Sequence, residues 1–259
     1  MASYRTRAIV LRKTKLGEAD LILTMIAESG IQLRCVAKGA RKPKGRFSGR
    51  FELFCEVDIV VYEGKSLGTI TDVTVVSTND ACRRDMHRLA YASVVAQFAE
   101  KSTFEGQENA FLFQLTRAGL HSIGDVELAY APFIVAAYLI KASAYMGLRP
   151  SFDDCISCGT PREKGHRGTF SIEQGGWLCD DCSADESARK PADDPDAMVV
   201  QWTKALLGLR FAEIPEQEGL AGEGSSYLAG ALLSFCERWL QAHLGLRLKT
   251  MDYLSSLMK

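Results

Sequence analysis

Val57-Asp58-Ile59-Val60-Val61-Tyr62 leads through Glu63-Gly64-Lys65-Ser66 into a second β-branched run over residues 68–76. Apolar residues largely alternate with polar ones in both runs, and a side-chain period of two belongs to strands half-buried against a core. The Gly-containing tetrapeptide between them is a hairpin signal. Toward the N-terminus stand three more short runs, Ala8-Ile9-Val10-Leu11, Leu21-Ile22-Leu23-Thr24-Met25-Ile26 and Leu33-Arg34-Cys35-Val36, with Gly17 and Glu28-Ser29-Gly30 at the turns. Five short strands with an irregular insert between the third and fourth predict a small closed barrel of the OB-fold type, since closure removes exposed sheet edges.

Past the barrel the period changes to 3.6. After Asn79-Asp80, which offers an N-cap, Met86, Ala90, Val94 and Phe98 recur four apart, with Tyr91 and Val95 on the adjacent stripe. A second helix is expected over 108–121 with Phe111, Leu115 and Ala118 on one side. A third, over 125–146, is apolar on nearly every face, with Pro132 at its first turn or kinking it. Residues 147–185 are rich in Gly, Cys and charge and read as a separate insert. An acidic linker over 185–196 follows, then helices over 199–209 and 226–244, the latter lined by Leu228, Leu232, Phe235, Cys236 and Trp239. The expected class is α+β multidomain: an OB-fold barrel over 1–79, then an α-helical domain over 80–259 carrying the insert at 150–185.

The insert holds Cys155-Ile156-Ser157-Cys158 and, twenty residues on, Cys179-Asp180-Asp181-Cys182. Each C-x-x-C pair places two thiolates on one tight turn, and two turns complete a sulfur tetrahedron about 2.3 Å from one metal ion. Gly159 lets the chain fold back after the first pair, and Gly175-Gly176-Trp177-Leu178 leads into the second as a short strand. The expectation is one structural Zn2+ on Cys155, Cys158, Cys179 and Cys182; four thiolates leave no position open for catalytic water. His166, between the pairs, is not needed as a ligand. A disulfide pair and a redox C-x-x-C are the competing readings: disulfides are rare in the cytosol, and neither pair is expected to open a helix after a strand. Cys35, Cys55, Cys82 and Cys236 sit on apolar stripes and read as small buried residues.

At 259 residues the chain suits one large domain or two to three small ones, and its 47% hydrophobic and 24% charged content excludes disordered, collagen-like and fibrous classes. With 31 basic and 32 acidic residues the net charge is −1, which announces no polyanionic partner. The sum hides an asymmetry: residues 1–80 carry 13 basic and 9 acidic side chains. Within them Arg34, Lys38, Arg41, Lys42, Lys44, Arg46 and Arg50 follow one another with no acidic residue between. Gly39, Pro43, Gly45 and Gly49 keep this stretch irregular, and Phe47 and Phe51 interleave with the charges. Phosphate neutralisation combined with aromatic stacking platforms binds single strands without sequence preference. The plainer alternative is a solvated basic loop.

Ala8 to Leu11 are only four apolar residues, too short for a secretory core segment, and Lys141 interrupts the most apolar stretch, 131–148. A cytoplasmic location is expected. Enzymatic signatures are missing. Gly64-Lys65-Ser66 resembles the end of a phosphate-binding loop, but the glycine required five positions earlier is Ile59, and Ser187-x-x-Lys190 matches a nucleophile pair by spelling alone. His87, His121, His166 and His243 are scattered. The chain reads as a non-enzymatic binding protein.

Several stretches together resemble the bacterial recombination mediator family RecO: Ala8-Ile9-Val10-Leu11 with Gly17-Glu18-Ala19-Asp20-Leu21-Ile22-Leu23-Thr24, Lys38-Gly39-Ala40-Arg41-Lys42-Pro43-Lys44, and Gly147-Leu148-Arg149-Pro150 with Phe152 ahead of Cys155-x-x-Cys158-Gly159. The resemblance implies an OB-fold, a helical domain and a zinc insert. It also implies binding of single- and double-stranded DNA, strand annealing, and action with RecR, and in many bacteria RecF, to load RecA onto strands covered by single-stranded-DNA-binding protein. It further implies a contact with the tail of that last protein through the helical domain, for which Arg83, Arg84 or Lys141 would suit the chemistry. An OB-plus-zinc protein of RNA metabolism or transcription is the alternative, because a phosphate-led surface hardly separates DNA from RNA.

Overall fold

Strand β1 (Ser3–Leu16) is long enough to serve two neighbours: its first half pairs with β4 (Glu56–Tyr62) and its second with β2 (Asp20–Ala27), across a register shift between Val10 and Arg12. With β3 (Gln32–Ala37) and β5 (Gly68–Ser77) these form a closed barrel of order β1-β2-β3-β5-β4. The computed structural model describes residues 2–64, 66–162, 167–184 and 195–257. The hairpin residue Lys65, His166, the Ser187 and Lys190 pair and most of the acidic linker lie outside them.

Closure depends on a short parallel pairing of β3 with β5, Cys35 with Gly68 and Val36 with Thr69. A Cβ at Gly68 would stand 2.6 Å from Val61 Cγ1 and 3.1 Å from Cys35 Sγ, so a side chain there would push the closing strands apart. Inward residues alternate along the strands: Ala8 and Val10, Leu23 and Met25, Cys35 and Ala37, Val57, Ile59 and Val61, Ile70 and Val73. Each large apolar side chain buried here contributes about 1.5–3 kcal/mol.

The chain forms two compact units, Met1–Ala131 and Pro132–Lys259. The first adds α1 (Ala81–Arg84), α2 (Met86–Ser102) and α3 (Ala110–Asp125) to the barrel. Asp80 precedes only the short α1 and makes no side-chain capping bond to its backbone; the long helix starts afresh at Asp85, whose carboxylate accepts from the N–H groups of His87 at 2.8 Å and Arg88 at 3.0 Å. Met86, as the first helical residue, is therefore exposed, while Ala90, Val94 and Phe98 are buried. The apolar stripe expected on the second helix is wrong. Phe111 is exposed, and the buried face is Leu112, Phe113, Thr116, Leu120 and Ile123, turned toward α2.

In the second unit α4 (Ala131–Tyr145) carries Pro132 in its first turn, where a missing N–H costs nothing, and residues 133–140 are all buried. Leu128–Tyr145 is long and apolar enough to cross a membrane by length and composition, but 67% of it is buried inside the fold, as in a core helix. Strands β6 (Gly168–Ser171) and β7 (Gly176–Cys179), α5 (Asp180–Ala184), α6 (Ala197–Gly208) and α7 (Ser225–Leu244) follow. A last helix, α8 (Lys249–Leu257), was not expected from the sequence.

Candidate nucleic-acid interface and metal centre

The basic insert is built, not slack. Backbone bonds Lys42 N–Gly39 O, Gly45 N–Lys42 O and Ser48 N–Gly45 O, all 2.9–3.0 Å, make three turns in succession, and Arg50 N–Phe47 O at 3.2 Å closes a fourth. Gly39 and Gly49 take the left-handed φ values of +70° and +71° that such turns need. A Cβ on Gly45 would lie 2.8 Å from the Gly39 carbonyl oxygen, so the stack of turns requires glycine there too.

All seven cationic residues, Arg34, Lys38, Arg41, Lys42, Lys44, Arg46 and Arg50, are exposed. Among the described residues none forms an ion pair with a carboxylate. Three arginines are tied to backbone carbonyls instead. Arg41 Nη1 donates to Gly17 O at 3.1 Å, Arg50 Nη1 to Val73 O at 2.9 Å and Arg46 to Thr71 O. Thr71 and Val73 lie on β5 beyond its short pairing with β3, so the two guanidinium groups take up carbonyls that β3 leaves unpaired. Their charge is not consumed, because a neutral carbonyl accepts a hydrogen bond without cancelling it.

The expectation that Phe47 and Phe51 offer stacking platforms is corrected. They are 5% and 2% exposed, edge to face at 5.7 Å, and belong to the barrel core. Their large apolar area drives them inward, so the aromatics plug the insert onto the barrel while the intervening charges stay in water. Arg46 covers the outer face of Phe47 at 4.6 Å. The holding contacts made by Gly17, Ala19 and Asp20 carry no sequence signal, because their partners lie some twenty residues away across a strand pair.

Other basic candidates are occupied. Arg83 donates to Leu53 O at 2.5 Å and Thr78 O at 2.8 Å, and Arg84 pairs with Asp80 at 2.6 Å. Lys141 is half-buried, donates to Leu207 O at 2.6 Å, and is pushed below the usual lysine pKa by that burial.

In the second unit the sulfur atoms of Cys155, Cys158, Cys179 and Cys182 all lie within 4.8 Å of one another. Cys158 and Cys179 Sγ are 3.7 Å apart, close to the edge of about 3.8 Å that a tetrahedron with 2.3 Å metal–sulfur bonds requires. The first knuckle is shaped by Gly159 N–Cys155 O at 2.8 Å and Cys155 N–Thr160 O at 2.8 Å, with Gly159 at φ +74°. β7 delivers Cys179 and α5 delivers Cys182, so the second pair does open a short helix after a strand, contrary to expectation. Backbone N–H groups of Cys158 and Cys179 directed at Cys155 push its pKa down to about 6. Against a lowering bond from Ser157, the crowding thiols of Cys158 and Cys179 push Cys182 up to about 12. Four sulfurs so placed form a complete donor set for one tetrahedral metal ion. All eight cysteines are free, and Cys35, Cys55, Cys82 and Cys236 are buried as expected.

The metal hairpin is not peripheral to its unit. Phe152 stacks on Phe170 at 5.5 Å, Phe170 meets Phe235 of α7 at 5.9 Å, Phe235 stacks on Trp239 at 5.9 Å, and Trp239 meets His243 at 4.0 Å. His243 Nε2 stands 2.7 Å from Ile172 O, and Trp239 Nε1 donates to Leu148 O at 3.2 Å.

Residues 1–79 match the family model described as the recombination protein O N terminal, and residues 83–252 match its C-terminal counterpart. The DNA repair protein RecO of Nocardioides sp. is 34% identical over 97% of this chain and 98% of its own. That of Alkaliphilus metalliredigens is 32% identical over 93% of each, and that of Symbiobacterium thermophilum 29% identical over 99% of this chain and 98% of its own.

Proposed function

Since the chain belongs to the recombination protein O family of DNA repair proteins, we propose that it is a non-enzymatic recombination mediator that captures single- and double-stranded DNA on its barrel and anneals complementary strands. The observation that carries this reading is a group of seven exposed cationic side chains, Arg34 on β3 and six on the insert that follows it, none paired with a carboxylate among the described residues and all mounted on a closed barrel. Phe47 and Phe51 are buried and do not stack on bases, so capture by the insert itself is electrostatic, through phosphates. The barrel over residues 1–79 is the nucleic-acid-binding domain in this reading, and 150–185 the metal insert of the helical domain.

The metal is zinc. An all-thiolate tetrahedral set suits a borderline-soft d10 ion, which would hold Cys155, Cys158, Cys179 and Cys182 together and lend the segment its folding free energy. Family likeness supports RecR and the tail of single-stranded-DNA-binding protein as partners in the cytoplasm, with RecA loaded as the outcome.

The test is annealing of complementary strands by the wild type and by a variant with Lys38, Arg41, Lys42 and Lys44 replaced by Glu. Annealing falls steeply in the variant; unchanged annealing removes the insert from the mechanism. If about five phosphates are neutralised, log affinity for a single strand falls with log salt at a slope of roughly −3.5. Preference for RNA over DNA oligonucleotides in competition would favour a role in RNA metabolism.

A further inference from the structure

The Gly17-Glu18-Ala19-Asp20 turn lies at the root of the basic insert, and Asp20 Oδ1 accepts the backbone N–H of Gly39 at 2.7 Å. We propose that Asp20 is a positioning residue for strand capture: its carboxylate fixes where the insert leaves β3 and so where Lys38, Arg41 and Lys42 meet phosphate. The inference rests on the reading of the insert as the DNA-binding element.

The register shows why this point matters. β2 and β3 pair as far as Leu21 with Ala37, and continuing the ladder one step sets Asp20 opposite Lys38. There the chain turns away at Gly39, φ +70°. Three hydrogen bonds clip the departing chain to the Gly17–Asp20 turn: Gly39 N to Asp20 Oδ1, Arg41 N to Ala19 O at 2.9 Å, and Arg41 Nη1 to Gly17 O at 3.1 Å. Of these, the Asp20 bond has the one side-chain acceptor, and its charge makes it the strongest. Among the described residues Asp20 forms no ion pair with the lysines and arginines around it, so neutralising them is not its task. A carboxylate beside a phosphate-binding surface opposes binding by simple charge. Its place there is accounted for by the bond it accepts.

Charge and position therefore predict opposite signs, and two variants separate them in the full chain. Asp20→Asn removes the charge and keeps a carbonyl acceptor for Gly39; Asp20→Ala removes both. The readouts are titration of a fluorescent oligothymidine over a salt series, annealing rate, and melting curves. Asp20→Asn is expected to bind as tightly as the wild type or tighter, with the same salt slope. Asp20→Ala is expected to bind about five- to tenfold more weakly, as the loss of one charge-assisted hydrogen bond allows. Its slope becomes shallower by roughly 0.7 for each phosphate no longer reached. Equal affinity and slope in the two variants overturns the inference, as does a large fall in affinity with Asp20→Asn. A lowered melting temperature in Asp20→Ala with unchanged slope marks a merely structural role and overturns it too. The variant with Lys38, Arg41, Lys42 and Lys44 changed to Glu is the third arm. If it binds like the wild type, the DNA-binding reading fails; if it loses binding while the Asp20 variants coincide, only the positioning role fails.

Discussion

Arg117 of α3 donates its Nε–H to Oε2 of Glu56, the first residue of β4, at 2.9 Å, and that carboxylate is only 2% exposed. Its other oxygen meets Arg7 of β1 at 3.7 Å, an ion pair without a hydrogen bond. Glu56 thus ties two strands of the barrel to a helix. Removing one partner of a buried charge costs more than the pair contributes, because the survivor keeps its desolvation penalty. Arg117 is half-exposed, so water takes up part of the loss. Arg117→Ala should lower stability by about 1–3 kcal/mol. Arg117→Met combined with Glu56→Leu should cost less than the two single changes added together. Urea denaturation of all four proteins closes the cycle, and strict additivity would show that the two residues do not interact.

Phe47 provides the sharpest test of how the insert is attached. As a core plug, its replacement by Ala should cost about 3–5 kcal/mol, while Phe47→Leu keeps much of the volume and most of the stability. Single-strand affinity of Phe47→Leu, measured well below its melting point, should match the wild type. A loss of affinity in that variant with unchanged melting would return Phe47 to a stacking role.

Helix α2 carries a pH dependence that can be worked out from its cap. Hydrogen bonds from Arg88 N–H and His87 N–H hold the Asp85 carboxyl below its ordinary 3.8. Because the folded-state value is depressed, the cap's contribution is present at pH values above the ordinary one and is lost as pH falls through the folded-state value. Asp85→Ala should therefore melt at lower temperature than the wild type at pH 7, with the gap closing below pH 3.8. A gap independent of pH would mean that the ionised carboxylate is not what caps the helix.

The barrel and the cysteine cluster were legible because both are written locally. Period-two runs punctuated by Gly17 and Gly30 are strands whatever surrounds them, and Cys155, Cys158, Cys179 and Cys182 carry their geometry in their spacing. Orientation was less legible. Alternating Phe47 and Phe51 with arginines says that aromatics and charges share a loop, but only the packed barrel decides which way the rings face. Likewise the Phe111 stripe and the Leu112 stripe differ by 100° around α3, and the choice is made by α2. The sequence points to Asn79-Asp80 as the cap; the extended backbone at Asp85, φ −130° and ψ 141°, breaks the helix there and moves the start of α2 to the next residue.

Metal removal should reach beyond the four cysteines. Phe170 lies on the strand just before the β6–β7 turn and touches both Phe152 and Phe235, so loss of the ion should free the hairpin and undo one end of the aromatic row that continues to Trp239. Trp177, 1% exposed on β7, should become solvated at the same time. Treatment with a strong chelator is expected to release one zinc per chain and shift tryptophan emission to the red. Melting of the helical unit should fall by an amount in keeping with apparent zinc-binding free energies of about 10 kcal/mol or more. Cys158→Ser should reproduce the effect, because three thiolates bind less tightly than four. A metal-free protein with native emission and unchanged melting would show that the Phe152–Phe170–Phe235–Trp239 row stands without the ion, and the cluster would then hold no structural zinc.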